Sequence, residues 1–118
     1  MHKTFGTYVR QRREKLSRDS REFSVRRVAA RVGFQPSYLS KVERGEVAPP
    51  SEERIVALAA ELGEDADVLL ALAGKVSGDL QQVIRKRPQL FATLIRELKD
   101  LPDGAVLRLV REVRDGNW

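Results

Sequence analysis

Glycine punctuation constrains this chain more than any other feature. Gly33, Gly45, Gly63 and Gly74 each follow closely on a short run of apolar residues spaced three or four apart. That spacing lays apolar side chains along one face of a helix. A glycine just past the end takes the left-handed backbone that closes a helix without a Cβ penalty. The pattern therefore predicts several short helices with abrupt stops, and no alternating run of strand type occurs in the 118 residues.

The first helix is predicted from about Thr4 to Leu16, with Phe5, Val9, Arg12 or Arg13 and Leu16 on one side. Ser17 to Phe23 has no apolar period and many residues that compete for backbone hydrogen bonds, which predicts a loop. Ser24 has the chemistry of an N-cap, and Val25, Val28, Ala29 and Val32 follow at core spacing before Gly33. Gln35 precedes Pro36, which suits a first helical position because its missing amide hydrogen costs nothing there. Tyr38, Leu39 and Val42 mark the inner side of this third helix, Gly45 closes it, and Val47-Ala-Pro-Pro50 makes a stiff connection.

A fourth helix is predicted from the cap Ser51, with Glu52 and Glu53 facing the positive end of its dipole and Ile55, Leu58, Ala59 and Leu62 buried. A fifth runs from the cap Asp65 to Ala73 and is expected to bury Val68, Leu69 and Leu72. Beyond Lys75-Val-Ser-Gly78, three further helices are predicted. Leu80, Val83 and Ile84 mark the first. Pro88 starts the second, with Leu90, Phe91, Leu94, Ile95 and Leu98, and Pro102 the third, with Val106, Leu109, Val110 and Val113. The expected division is a domain over 1–74 and a smaller helical segment over 75–118.

Charge separates these two parts. Residues 1–50 carry 12 Lys or Arg against 5 acids, whereas residues 51–118 carry 10 against 12, so the positive field belongs to the first half. With 33% charged residues in all, this asymmetry points the first half towards a polyanion and leaves the second half another task.

Several classes are disfavoured. There is no cysteine, hence no disulfide or thiolate metal site, and nothing argues for an oxidising compartment. No apolar run approaches the roughly 18 residues needed to span a bilayer, and Met1 to Arg10 lacks the apolar stretch of a signal peptide. A cytoplasmic setting is expected. An enzyme fares badly: the only histidine, His2, sits at an expected frayed end, so no Ser-His-Asp set or multi-histidine metal site can be assembled. Carboxylates such as Glu52 with Glu53, or Asp65 with Asp67, read as helix starts. Gly74-Lys75 lacks the upstream glycine of a phosphate-binding loop, since position 69 is Leu. Neither a metal nor a cofactor is expected.

The stretch from Ser24 to Gly45, Ser-Val-Arg-Arg-Val-Ala-Ala-Arg-Val-Gly-Phe-Gln-Pro-Ser-Tyr-Leu-Ser-Lys-Val-Glu-Arg-Gly, resembles the helix-turn-helix of the phage-repressor and Cro type, the xenobiotic-response-element (XRE) family. Small Ala29 permits close helix packing, Gly33 makes the turn, and Leu39 and Val42 anchor the second helix. The resemblance covers roughly residues 3 to 74. It implies an all-α fold, a five-helix lambda-repressor-like DNA-binding domain followed by a short C-terminal helical dimerisation module. Two features depart from it: the segment from Ser17 to Phe23 is longer than the usual connection, and Glu46 puts an acid where basic residues are common.

The resemblance also distributes roles. A helix fits the roughly 12 Å wide major groove, and residues near its N-terminus reach base edges while the preceding helix crosses the phosphates. Pro36, Ser37 and Lys41 fall at base-reading positions, with Gln35 and Ser40 beside them. Gln35 stays open between base reading and a capping or phosphate contact. Ser24, Arg26, Arg27 and Arg44 are phosphate candidates, against a plain solvated face for Arg26 and Arg27. Since Glu46 disfavours a phosphate after the recognition helix, Arg18 or Arg21 in the longer loop are candidates to bind one instead. A pair between Arg13 and Glu43 is implied as a structural bridge.

The last forty residues are too few to stabilise a core alone, yet Leu90, Phe91, Leu94, Ile95, Leu98, Val106, Leu109, Val110 and Val113 are large and apolar. They need a cover. A second copy related by a two-fold axis supplies one, and a dimer reading two half-sites gains discrimination. Folding back on the first domain is the alternative. The sequence thus points to a homodimeric DNA-binding transcription regulator, and to a repressor on a palindromic operator, acting in the cytoplasm of a bacterium or on a phage or nucleoid target. Double-stranded DNA is the expected partner, with a possible protein partner such as an antirepressor or toxin at the C-terminal segment. The rival readings are the antitoxin of a toxin-antitoxin pair and a general nucleic-acid binder.

Overall fold

Helices built on three- and four-residue apolar spacing can bury their stripes only against one another, and the first part of the chain does so around a single core. The computed structural model describes residues 3–116, which contain eight α-helices, one short 3-10 turn and no strand. They are α1 (Lys3–Ser17), the 3-10 turn (Arg21–Phe23), α2 (Val25–Val32), α3 (Pro36–Glu43), α4 (Glu52–Leu62), α5 (Ala66–Leu72), α6 (Gly78–Lys86), α7 (Pro88–Leu98) and α8 (Asp103–Asp115). The chain divides into two compact units, Met1–Ser77 and Gly78–Trp118. His2 lies outside the described residues.

The first unit holds every fully buried apolar side chain among the described residues: Phe5 and Val9 from α1, Val28, Ala29 and Val32 from α2, Leu39 and Val42 from α3, Ile55, Leu58, Ala59 and Leu62 from α4, and Leu69 and Leu70 from α5. Each α-helix contributes the face that its apolar spacing predicts, with one correction in α5. Val68 is 48% exposed and Leu70 takes the buried place beside Leu69. Six of the seven residues of α5 are apolar, so its period cannot select a face and the neighbouring α4 decides which side is covered.

The segment from Ser17 to Phe23 is also more ordered than its composition predicts. Ser20 Oγ accepts from the Glu22 amide at 3.1 Å and opens the 3-10 turn. Phe23, half-buried against the core, ends it. The Arg31 guanidinium lies 5.5 Å from the Phe23 ring centroid and donates to the Glu22 carbonyl at 2.6 Å. The turn is therefore held by α2, through tertiary contacts that a local reading cannot see.

α1 meets the end of α3 at Gly6. A Cβ there would lie 2.6 Å from the Glu43 carbonyl oxygen and nearer still to that of Val42. Both are backbone atoms that cannot turn aside, so glycine at this position is required by close approach. On its other flank α1 is tied to the end of α4. The Tyr8 hydroxyl donates to Glu64 Oε1 at 2.6 Å, and Arg12 Nε donates to the Leu62 carbonyl at 3.3 Å. The Glu64 bond pushes the Tyr8 phenol above its ordinary pKa.

The second unit is built differently. α6, α7 and α8 contain no buried residue. Leu90 is 69% exposed and Leu94 51%. Leu94 and Leu98 of α7 face Val106, Leu109, Val110 and Val113 of α8 across a cleft lined by apolar side chains alone. No helix among the described residues is long and apolar enough to cross a membrane.

Gly6→Ala is expected to cost stability by about 1–3 kcal/mol or more, because α1 must move off the α3 end. Urea unfolding at constant m-value measures it; an unchanged midpoint would show that the two helices can part without loss.

Candidate nucleic-acid interface

Two helices and the turn between them present the candidate interface. α2 begins at Ser24, whose Oγ accepts from the Arg27 amide at 3.2 Å, and it ends at Gly33 with φ of 87°. The Gly33 and Phe34 amides both donate to the Ala29 carbonyl, at 2.9 and 2.8 Å, which closes the helix and reverses the chain. α3 then starts with Pro36 at its first position.

The turn has a clamp that the sequence reading missed. Arg54 of α4 sends Nη1 to the carbonyls of Val32 and Gly33, at 2.9 and 2.7 Å. Those carbonyls are orphaned at the end of α2, and a cation there also complements the helix dipole. The same guanidinium lies 5.6 Å from the Phe34 ring centroid, and Phe34 meets Tyr38 edge-on with centroids 5.0 Å apart. No local signal announces Arg54, a single cation among acids in a first turn; its role exists only once α4 packs on α2.

The far end of α3 is fixed by charge. Arg13 Nε and Nη2 donate to the two Glu43 carboxylate oxygens at 2.7 and 2.9 Å. Its Nη1 reaches the Phe23 carbonyl at 3.2 Å. Both side chains are buried, so this is a desolvated, two-pronged pair of the kind arginine's planar fork favours. The bond to Glu43 raises the Arg13 pKa above its ordinary value, outweighing the burial that lowers it. Arg13 thus joins α1, the last turn of α3 and the end of the 3-10 turn.

With Leu39, Val42 and Glu43 turned inward, the opposite side of α3 faces solvent. Ser37, Lys41 and Arg44 lie there at steps of four and three, all exposed, with Ser40 partly covered beside them. Gln35 occupies the N-cap position, but its side chain makes no capping bond, so its amide is exposed at the start of the helix. Pro36 is exposed next to it. Ser40 and Arg44 share a cleft with Arg10, Arg13, Glu43 and Val25, which sets the start of α2 beside the outer end of α3.

The candidate phosphate residues divide. Arg27 is paired with Glu22, and Arg44 with Glu46. Arg31 bonds Glu61 at 2.5 Å and Glu22 at 3.3 Å. Arg26 is exposed and makes no ion pair to the described residues. Glu22 and Glu61 were not singled out by the sequence reading, although Glu46 had marked a departure. No group of three or more metal-ligating side chains occurs among the described residues.

A short helix, a glycine turn clamped from behind, and a second helix with a polar outer face define a helix-turn-helix protein. A family model described as "Helix-turn-helix domain" matches residues 4–72, and the chain belongs to that family of XRE-like regulators. No curated protein and no solved structure matches the chain.

Removing one member of the buried pair, as in Glu43→Leu, is expected to cost about 3–5 kcal/mol, since Arg13 keeps its charge without a partner. The double variant Arg13→Met with Glu43→Leu is expected to regain most of that loss. A double-mutant cycle by urea unfolding checks both; a double variant as unstable as the single one would mean that geometry, not uncompensated charge, sets the cost.

Proposed function

We propose that this protein is a sequence-specific transcription regulator that binds a palindromic operator as a homodimer and represses by covering it. The observation that carries the reading is the outer face of α3. Gln35, Ser37 and Lys41 are exposed there and make no side-chain hydrogen bond to the described residues, while Arg13 holds the end of the helix and Arg54 the turn before it. Donors and acceptors that a protein leaves unused on a fixed helix are available to base edges. Lys41 can donate to guanine O6 and N7, Ser37 suits either base type, and Gln35 suits adenine. Pro36 and Ser40 flank them. Ser24 and Arg26 at the start of α2 position the backbone, while Arg27 and Arg44 are held by Glu22 and Glu46.

The first unit corresponds to a lambda-repressor-like domain, and the second supplies the dimer. Burial in the first unit is complete without α6 to α8, whereas these three helices bury nothing by themselves. Leu90, Phe91, Leu94, Ile95, Leu98, Val106, Leu109 and Val110 would be covered by the same faces of a second copy. α7 and α8 line one apolar cleft across a short connection, so two such pairs can close into a four-helix arrangement. The setting in this reading is the cytoplasm, on the DNA of a cell or phage.

Selection of sites from a random duplex pool is expected to return two inverted half-sites about 34 Å apart. Lys41→Ala should lose about 1–3 kcal/mol of discrimination at one base position. A selected site without inverted symmetry would overturn the palindromic reading. In sedimentation, the whole chain is expected to be a dimer, and the variant Leu94→Glu with Val110→Glu, or a chain ending at Ser77, a monomer. A partner protein as the occupant of this face would instead leave the unaltered chain monomeric.

A further inference from the structure

The arginines around α2 and α3 fall into two sets once their partners are counted. Arg27, Arg31 and Arg44 are held by Glu22, Glu61 and Glu46. Arg18 and Arg21, in the segment before α2, are exposed and make no ion pair to the described residues, although Asp19 is the chain neighbour of Arg18. We propose that Arg18 and Arg21 form a further phosphate-binding site for duplex DNA, one that takes over the contact Arg44 cannot make while Glu46 holds it. This rests on the DNA-binding reading above.

Three observations place the turn that carries Arg21 where a phosphate can meet it, with Arg18 three residues before it in the chain. First, the 3-10 turn that carries Arg21 is anchored, with Ser20 capping it, Arg31 bonded to the Glu22 carbonyl and Phe23 half-buried. A held turn spends less entropy on binding than a free loop. Second, the turn lies close to the recognition helix. One guanidinium, Arg13, touches both the Phe23 carbonyl and the carboxylate of Glu43 in the last turn of α3. Third, the turn leads directly into Ser24, the N-cap of α2, so Arg21 and Arg26 flank the start of that helix in the chain.

Electrostatics then separates the two ends. At the end of α3, a phosphate approaching Arg44 must displace Glu46 and also meets that carboxylate's repulsion. Arg18 and Arg21 have no paired acid to displace; of the carboxylates that adjoin them in the chain, Asp19 and Glu22, the second is already held by Arg27 and Arg31. Counterion release makes such a contact visible as salt dependence, with a slope change of about 0.9 per phosphate neutralised.

The test uses the full chain and measures affinity for a pool-selected duplex and for a random duplex across a salt series. Arg18→Gln with Arg21→Gln is expected to lower the magnitude of the salt slope by about 0.9 per bound chain, roughly two for a dimer, and to weaken both duplexes in parallel. Arg44→Gln is expected to leave the slope unchanged, while Glu46→Gln raises it by about 0.9 per bound chain, roughly two for a dimer. Both arginines of the double variant are exposed, so an unfolding midpoint equal to that of the unaltered chain confirms that the fold is kept. An unchanged slope in the double variant overturns the proposed site while leaving the DNA-binding reading intact. A drop in Arg44→Gln as large as in the double variant overturns the division of labour between turn and α3. No duplex binding by the unaltered chain overturns the underlying reading itself.

Discussion

The pair between Arg13 and Glu43 carries the geometry of the first unit. Burying two charges is costly, and in this case the cost is offset by two short charge-assisted bonds and a third from the same guanidinium to the Phe23 carbonyl. Such a network is a weak source of net stability, but it is strict about position. Slide α3 along α1 by one turn and the carboxylate no longer meets the fork. Gly6 makes the same demand sterically, because the α3 carbonyls come too close for any Cβ. Charge at one point and contact at another leave α3 one seat on α1.

The opposite end of α3 is fixed by a different means. Gly33 supplies the left-handed residue, and Arg54 satisfies the carbonyls that the turn would otherwise strand. A helix of eight residues is too short to hold itself. Clamped at both ends, it can present an outer face free of structural duties. The proposed readout by Ser37, Lys41 and Gln35 depends on that division, since side chains spent on capping or packing have nothing left for bases.

Electrostatics around this face is not simply positive. The excess of cations in the first fifty residues is partly consumed by Glu22, Glu46 and Glu61, so net charge overstates what a phosphate would meet. Acids beside a binding surface limit sequence-independent attraction and leave base contacts a larger share of the total. The second unit obeys another logic altogether, because its helices carry apolar faces and no buried residue.

By itself the sequence determined the local events. Apolar spacing and the glycines placed the helices of the first unit to within a residue or two. Ser24 and Pro36 marked two starts, and the run from Ser24 to Gly45 carried enough coincident residue types to point to the helix-turn-helix. These are properties of neighbours along the chain, so they can be read from neighbours. Tertiary structure alone decided which face of α5 is buried, how Ser17 to Phe23 is ordered, that Arg54 clamps the turn, and which arginines are already paired. Most of those depend on a residue far along the chain or on a side chain from another helix, and spacing holds no record of such distances. Gly6 stands between the two: a glycine inside a helical pattern hints at close approach, but only the fold shows that the approaching atoms are the carbonyls at the end of α3.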